Sequence, residues 1–269
     1  MITFPPCKIN LGLSVVARRP DGYHDIETCF YPLPWTDILE VIPSAKFAFT
    51  SSGNIIPGNE SENLCVKAYE LLKKDYNLPE ANIHLHKMIP TGAGLGGGSS
   101  DAAHTIRLLN DVFSLALPAE TMQKYAAQLG SDCAFFIQDQ PMEGTGRGEQ
   151  LAVIQVSLKG KFMVVLKPAV HVSTAEAYSG ITPSKPALAV RKILETYPME
   201  TWKDHLKNDF EPSVFQRHTV IEELKFNLYK AGAIYASMSG SGSAVFGIFE
   251  NPVNVTKPAD VIQWKGIMP

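Results

Sequence analysis

The stretch PTGAGLGGGSSDAA, residues 90–103, carries the strongest indication of fold in this chain. It holds five glycines and two serines between a strand-like apolar segment and a helix-like apolar segment. Glycine weakens a regular element by roughly 0.5–1 kcal/mol relative to alanine, so this density indicates a flexible linker or a surface that something must approach closely. A linker joins domains, whereas this run joins a strand to its helix, and the second interpretation is therefore favoured.

A glycine loop that leads into a helix is typical of an anion site, because free N–H groups and the helix dipole both attract phosphate. The loop is not a Walker A motif, which requires a lysine where Ser99 and Ser100 follow the last glycine. Gly92, Gly94 and Gly97 match the dinucleotide pattern GxGxxG only loosely, since no opening βαβ unit precedes them. The sequence therefore predicts a phosphate cradle of another kind.

Composition excludes several classes of partner. The chain has 269 residues, of which 45% are hydrophobic and 19% charged, with a net charge of -3, so it has no general attraction for nucleic acid or anionic membrane. The first residues, MITFPPCKIN, lack a basic stretch that leads into an apolar run, so we expect no leader, and no apolar run approaches the ~20 residues that span a bilayer. We expect a cytoplasmic protein with no nucleic-acid partner and no membrane partner.

The four cysteines predict neither a zinc site nor a redox motif. Cys7, Cys29, Cys65 and Cys133 lie far apart with no CxxC pair, and we expect small buried side chains at all four positions. Cys7 stands beside Lys8, which leaves an activated thiol open as a less favoured alternative.

Hydrophobic periodicity predicts a mixed α+β chain with a seam near residue 155. Before the seam, strands are predicted over 9–16, 38–42, 47–49 and 83–85, and helices over 61–75, after the glycine loop and over 121–129. Ser99, Ser100 and Asp101 are the expected start signals of the helix that follows the loop. After the seam, we expect a strand over 162–166, a short helix near Thr174, helices over 188–197 and 214–230, and strands in IYASM and SAVFGIF.

Taken whole, PTGAGLGGGSSDAA resembles the nucleotide loop of the GHMP kinases, the family of galactokinase, homoserine kinase, mevalonate kinase and phosphomevalonate kinase. The segments PPCKINLGLSVVARRPDGYHDIET, LGSDCAFFI, NDFEP and SMSGSGSAVFGIF are similar, in order and spacing, to the members that act on a cytidine-diphosphate-linked substrate in non-mevalonate isoprenoid synthesis. This likeness covers nearly the whole chain. It implies a two-domain GHMP kinase fold, with an N-terminal ribosomal-protein-S5-like α/β domain (residues 1–155), a C-terminal ferredoxin-like α/β domain (residues 156–269) and the active site between them.

The resemblance implies an ATP-dependent small-molecule kinase that uses Mg²⁺. Phosphoryl transfer needs a phosphate cradle, a divalent cation, positive charge and a carboxylate that accepts the hydroxyl proton. By resemblance, Asp132 is the catalytic base and Lys8 stabilises the incipient alkoxide, although the pattern alone also fits a helix-capping aspartate and a solvated edge lysine. The implied ATP-binding residues are Pro90, Thr91, Gly92, Ala93, Gly94, Leu95, Gly96, Gly97, Gly98, Ser99 and Ser100. The metal ligands are left open, with the two serines as candidates.

The resemblance also implies a set of substrate contacts. Tyr23 is expected to stack on the cytosine and His24 to hydrogen-bond it, whereas RPDGYH by itself equally fits a plain hairpin turn. The other implied contacts are Asn10 for a polar substrate group, Lys87 for ribose or phosphate, Thr174 for phosphate and Tyr178 for a second stacking contact. Gly240, Ser241 and Gly242 are expected to close the phosphate pocket.

Two other functions stay open at this stage. One is a different kinase of the same family, acting on homoserine or mevalonate, and the other is a non-catalytic nucleotide sensor with the kinase fold. The presence of both Lys8 and Asp132 argues against the sensor. His84 and His86 share one strand face, but no third ligand is apparent, and a solvated face is the favoured interpretation.

Overall fold

The structure is a computed structural model that describes residues 1–269. The chain forms two compact units, the first comprising residues 1–8, 35–91 and 96–140 and the second comprising residues 9–34, 92–95 and 141–269. Helices and strands are mixed in both, which confirms the α+β class. No helix has the length and apolar character needed to cross a membrane. The domain boundary expected near residue 155 stays a prediction.

The strands in chain order are β1 (Ile2–Thr3), β2 (Pro6–Arg18), β3 (His24–Thr36), β4 (Ile38–Pro43), β5 (Ala48–Gly53), β6 (Ala81–Lys87), β7 (Met142–Thr145), β8 (Gln150–Val153), β9 (Phe162–Lys167), β10 (Tyr235–Met238), β11 (Val245–Phe249) and β12 (Ile262–Ile267). The helices are α1 (Leu64–Tyr76), α2 (Gly97–Val112), α3 (Ala119–Leu129), α4 (Thr174–Ser179), α5 (Val190–Thr196), α6 (Trp202–His205), α7 (Glu211–Arg217) and α8 (Thr219–Lys230).

The first unit contains a four-stranded sheet in the order β1-β4-β6-β5, in which only β5 and β6 run parallel. Alternation along β6 buries Ile83 and Leu85, which pair with Val41 and Leu39 of β4 on the same face. Helix α2 packs against β4, and α1 and α3 pack against α2. This apolar layer positions the start of α2, where the glycine loop ends.

Helix starts in this unit follow two different rules. The side chain of Asn63 caps α1, accepting a 2.9 Å hydrogen bond from the N–H of Cys65, as an asparagine before a helix commonly does. Helix α2 begins at Gly97, with Gly96 at its N-cap in the left-handed region (φ +69°) and no capping side chain. The expected start at Ser99 is therefore wrong by about half a turn. A capping side chain is replaced here by bare backbone.

The second unit contains the sheet β10-β11-β9-β12 and most of the sheet β2-β3-β7-β8, of which residues 6–8 of β2 and 35–36 of β3 are assigned to the first unit. Every residue of β9 is buried, as the continuous apolar run in FMVVL predicts. The helix expected over 214–230 is wrong: α7 and α8 are separate, because His218 between them adopts φ -135° and ψ 71°. RPDGYH forms the turn between β2 and β3, with Gly22 at φ +86° and a 2.8 Å hydrogen bond from the N–H of Arg19 to the carbonyl of Tyr23.

Candidate active site

A buried lysine and a half-buried aspartate meet beside the glycine loop in the first unit. Lys8 Nζ lies 3.3 Å from Asp132 Oδ2, with the lysine side chain 4% and the aspartate side chain 32% exposed. Lys8 comes from β2, and Asp132 from the turn after α3. Because the ammonium is desolvated and the carboxylate retains access to solvent, the pair presents one reactive carboxylate oriented by a fixed positive charge.

Glycine 96 brings this pair against the loop. A Cβ built at Gly96 would lie 3.1 Å from Cγ and Cε of Lys8 and 3.1 Å from the ring of Phe136, and its φ is +69°. An L side chain at this position would be strained and would press on the lysine stem. The structure therefore brings together Lys8, Asp132 and the end of the glycine loop.

Glycine 98 has a different environment. It lies in the first turn of α2 and is exposed, and a Cβ built on it would meet nothing within 4 Å. Neither backbone geometry nor packing within the chain therefore requires glycine here. The first turn of an uncapped helix carries free N–H groups and the positive end of the helix dipole, so bare backbone at this point suits an approaching anion.

Lys87 lies in a buried ionic cluster of the first unit. Its Nζ donates hydrogen bonds to Asp37 Oδ2 at 2.5 Å and to Asp101 Oδ2 at 2.6 Å, and all three side chains are at most 3% exposed. Asp37 Oδ1 accepts from the N–H groups of Met88 and Ile89, which follow β6. The cluster thereby fixes the backbone that leads into the glycine loop.

The cluster contains two carboxyl groups and one ammonium group, and this imbalance shifts the pKa values of its members. Burial raises the pKa of Asp101 to about 7, and the nearby charge of Asp37 adds to the rise although Lys87 opposes it. Burial acts to lower the pKa of Lys87, but the charges of Asp101 and Asp37 raise it overall. Asp101 Oδ1 is buried without a hydrogen-bond partner, which fits a carboxyl group that is costly to ionise.

A cavity of about 150 Å³ opens beside this cluster in the first unit. Residues from three places in the sequence line it: Ile56, Pro57, Glu62, Asn63, Leu64, Leu85, Lys87, Thr91, Gly98 and Asp101. Thr91 and Gly98 of the glycine loop line this cavity together with Lys87, so the cavity borders the loop. A mostly apolar recess with a few polar groups beside the glycine loop has the kind of lining that small-molecule sites have.

Residues 92–95 of the loop contact the SMSGSG turn within the second unit. A Cβ built at Gly94 (φ +75°) would lie 2.0 Å from the carbonyl oxygen of Ser239, and the Ser239 hydroxyl donates a 2.9 Å hydrogen bond to the Gly94 carbonyl. Gly240 has φ +55° and Gly242 has φ +90°, so both need glycine, and Ser241 between them is half-buried. The two glycine-rich segments are thus held against each other.

Asn208 organises the same turn, although sequence reasoning assigned it no role. Its Nδ2 donates to the carbonyls of Met238 and Gly240, both at 2.8 Å, and its Oδ1 accepts from the N–H of Phe210. This buried side chain explains the asparagine of NDFEP, since its amide satisfies three backbone groups at once. The quoted motif could have pointed to it, but only the fold shows the partners.

Asn10 is nearly fully buried in the second unit. Its Nδ2 donates a 2.9 Å hydrogen bond to the hydroxyl of Thr28, which in turn donates to the carbonyl of Gly12. Its Oδ1 faces Gly240, at 3.4 Å from a Cβ built there. The structure thus places Asn10 beside the glycine-serine turn, and its substrate contact stays a prediction.

Two of the expected cytosine contacts, His24 and Tyr178, lie in an aromatic cluster of the second unit, and Tyr23 belongs to the same unit. His24 and Tyr178 stack with their ring centroids 4.7 Å apart, and Phe210 meets Tyr178 edge-on at 4.8 Å. Tyr23 is 57% exposed, and the guanidinium of Arg147 lies 4.9 Å from its ring centroid. Thr174 is exposed at the start of α4. The ring of Tyr23 is therefore accessible to a planar base, whereas His24 covers one face of the Tyr178 ring.

The cysteines and the His84–His86 strand face, which the sequence made less favoured candidate sites, have structural explanations. All four cysteines are buried, and burial raises the pKa of the Cys7 thiol, which excludes an activated nucleophile there. His84 bonds the hydroxyls of Thr50 and Ser52 on the outer face of the sheet, and His86 also bonds Ser52. No group of three or more His, Cys, Asp or Glu side chains could hold a metal ion.

Comparison with known proteins gives a consistent result. The model of the GHMP kinases N terminal domain matches residues 63–143, and that of the GHMP kinases C terminal matches residues 192–260. A 4-diphosphocytidyl-2-C-methyl-D-erythritol kinase of Cytophaga hutchinsonii is 54% identical over 259 residues, covering 96% of this chain and 94% of that protein. A kinase of the same name from Parabacteroides distasonis is 47% identical over 269 residues, 99% of each chain. The crystal structure of a 4-(cytidine 5'-diphospho)-2C-methyl-D-erythritol kinase matches with a TM-score of 0.80 and 33% identity, over 94% of this chain and 91% of that one.

Proposed function

This chain belongs to the GHMP kinase family, and we propose that it transfers the γ-phosphoryl group of ATP to the 2-hydroxyl of 4-diphosphocytidyl-2-C-methyl-D-erythritol. The products are the 2-phosphate and ADP, and the reaction belongs to non-mevalonate isoprenoid synthesis. The GHMP kinase fold expected from the sequence is confirmed, and a kinase of this family uses ATP. The relatives favour this substrate over homoserine or mevalonate, because 47–54% identity extends over nearly the whole chain.

The single observation that supports catalysis most is the Lys8–Asp132 pair against Gly96. Asp132 takes the proton of the attacking hydroxyl as the bond to phosphorus forms, and Lys8 stabilises negative charge on that oxygen. A carboxylate is a weak base toward an alcohol, so most of the acceleration comes from holding hydroxyl and phosphoryl group in line. The pair would have no such use in a nucleotide sensor.

The glycine loop binds the phosphates of ATP in this proposal. Free N–H groups at the uncapped start of α2 and the open space over Gly98 suit phosphate oxygens, and the cavity beside Lys87 suits the nucleoside. Pro90, Thr91 and Ala93 belong to the same continuous segment. Leu95 is buried and acts by packing.

Mg²⁺ is the proposed cation, and its charge would neutralise the phosphate oxygens. No cluster of protein ligands is present, which agrees with a cation held mainly by nucleotide phosphates and water. Of the two serines, Ser99 is the candidate ligand, because Ser100 is fully buried beneath the loop.

The cytidine end of the substrate binds the aromatic cluster of the second unit in this proposal. Tyr23 offers an exposed ring for stacking, and His24 and Tyr178 contribute a hydrogen bond and a second ring once the base replaces their mutual stacking. Asn10 and Thr174 supply polar contacts, and Gly240, Ser241 and Gly242 close the phosphate pocket.

The decisive experiment is turnover in an ADP-coupled assay. Phosphorylation of 4-diphosphocytidyl-2-C-methyl-D-erythritol, together with little turnover of 2-C-methyl-D-erythritol 4-phosphate, is the expected result. The second compound lacks the cytidylyl group, so equal rates would contradict the proposed role of the aromatic cluster. ADP binding without turnover of any acceptor would instead indicate a nucleotide sensor.

A further inference from the structure

His171 lies against the first glycine of the loop, in the second unit. A Cβ built at Gly92 would lie 2.8 Å from both Cε1 and Nδ1 of the His171 ring, and Gly92 has φ +61°. Real Cβ atoms do not approach other heavy atoms this closely, so the absence of a side chain at Gly92 is what lets the imidazole lie on the loop backbone. Neither residue pattern nor family resemblance pointed to this histidine.

The backbone that presents His171 is held on both sides. Lys167, buried at the end of β9, donates through Nζ to the carbonyls of Pro168 at 2.5 Å and Val170 at 3.0 Å. The hydroxyl of Ser243 donates to the same Val170 carbonyl at 2.5 Å. On the other side, Val172 is 3% exposed within the core of the second unit. The backbone on both sides of His171 is therefore anchored to the fold.

The imidazole nitrogens of His171 have no hydrogen-bond or ion-pair partner within the chain, and its side chain is exposed. Other histidines do have partners: His84 and His86 bond hydroxyls, His104 and His218 bond carboxylates, and His24 and His205 pack on tyrosine rings. His171 thus combines an N–H donor that lacks a protein acceptor with a position against Gly92 of the loop.

We propose that His171 is a further phosphate-contacting residue of this enzyme, whose imidazole N–H donates a hydrogen bond to a phosphate oxygen held at residues 92–94. The inference rests on the proposed function, because it takes the glycine loop to be a phosphate cradle. A hydrogen bond from imidazole to a charged oxygen is of the strong class, and a protonated ring adds an electrostatic attraction. The phosphate belongs either to ATP or to the diphosphate of the cytidylyl substrate, and the experiment separates these two sources.

The test compares the wild type with His171→Ala, measuring KM for ATP and for the cytidylyl substrate and calorimetric binding of ADP and CDP. Loss of one hydrogen bond to a charged group weakens binding by roughly 10- to 100-fold. If the KM for ATP and the dissociation constant of ADP rise by this amount, His171 contacts a phosphate of ATP. If the KM for the cytidylyl substrate and the dissociation constant of CDP rise instead, His171 contacts the diphosphate of the substrate. His171→Asn and His171→Gln place an amide donor near Nδ1 and Nε2, and one of them should recover part of the affinity.

The matched control is His205→Ala, which removes another exposed histidine of the same unit and should leave all four constants within about twofold. The proposal is overturned if His171→Ala leaves binding of both ligands within twofold of wild type. The proposal is also overturned if His171→Ala lowers both nucleotide affinity and Tm, and if neither His171→Asn nor His171→Gln recovers the affinity. The ring would then only support the loop. If the wild type binds ADP but does not turn over the cytidylyl substrate, the proposed function is contradicted. Comparing the ADP affinity of wild type and His171→Ala would still test the phosphate contact.

Discussion

Lys8 Nζ lies 3.3 Å from Asp132 Oδ2, and the stem of the lysine packs against Gly96 of the glycine loop. The lysine is buried while the aspartate keeps about a third of its side chain exposed. One contact therefore joins the proposed phosphate-binding loop to the proposed catalytic base. The chemistry of phosphoryl transfer needs both within reach of the same oxygen.

Asp132→Asn should lower kcat by about 10²- to 10⁴-fold, because the amide keeps the shape of the side chain but cannot accept the hydroxyl proton. ADP affinity should stay within a few-fold, since the glycine loop is unchanged. Steady-state kinetics and ADP calorimetry check both parts. Asp260→Asn, in an exposed turn, is the control and should behave as wild type. A parallel loss of kcat and ADP affinity would contradict a role for Asp132 in proton transfer.

Gly98→Ala separates ligand contact from folding. Because a Cβ at Gly98 meets nothing within 4 Å, the free energy of unfolding should stay the same or rise by up to about 1 kcal/mol. ADP affinity should nevertheless fall at least about tenfold, since the methyl group occupies the space that phosphate oxygens need. Urea unfolding and calorimetry measure the two quantities. Unchanged ADP affinity would show that phosphate does not approach this residue.

Gly94→Ala is the contrasting variant. Its Cβ would lie 2.0 Å from the carbonyl oxygen of Ser239, and its φ of +75° is unfavourable for alanine. This variant should lose both folding stability and ADP affinity, with a lowered midpoint of urea unfolding. A variant as stable as wild type would mean that the contact between Gly94 and Ser239 is looser than the structure shows.

The buried cluster around Lys87 predicts an unusual pH dependence of stability. Because burial raises the pKa of Asp101 to about 7, the native state binds more protons than the unfolded state between the ordinary aspartate pKa and about pH 7. The contribution of Asp101 is therefore present at low pH and is lost as pH rises through that window. Asp101→Asn cannot ionise at this position. The unfolding free energy of this variant, relative to that of the wild type, should therefore increase from pH 5 to pH 7.5.

Urea unfolding of wild type and Asp101→Asn at both pH values measures this change. The exposed control Asp260→Asn should show no such relative gain. If the difference in unfolding free energy between Asp101→Asn and wild type were the same at pH 5 and pH 7.5, Asp101 would not titrate in this range.

Tyr23→Ala should weaken CDP binding by roughly tenfold or more, since stacking of a base on an aromatic ring contributes about 1–3 kcal/mol. ADP binding should be unaffected, because the proposed nucleotide contacts lie in other segments of the chain. Calorimetry with each nucleotide checks this selectivity. Phe226→Ala removes an aromatic side chain that is 65% exposed on α8 and serves as the control. Equal effects on CDP and ADP would contradict cytosine stacking at Tyr23.

The local elements were predictable where a short-range rule determines them. The strand at 162–166, the capped helix α1 and the RPDGYH turn all follow from apolar runs, an N-cap asparagine and a glycine at positive φ. Strand β12 was missed, because none of its residues is buried and no buried face sets an apolar pattern. The break at His218 was missed as well, since the periodicity of 214–230 continues across it.

The sequence by itself predicted a phosphate loop over residues 90–100, because glycine lacks a Cβ atom and adopts positive φ freely, and the structure shows that backbone conformation at Gly92, Gly94 and Gly96. It also determined the family, through motifs whose order can be read without coordinates. Tertiary structure alone decided which side chains share a site. Lys87 meets Asp37 across 50 positions, and His171 reaches Gly92 from another segment of the chain. Burial and pairing of charges depend on which distant segments the folded core brings together, and no local pattern encodes that.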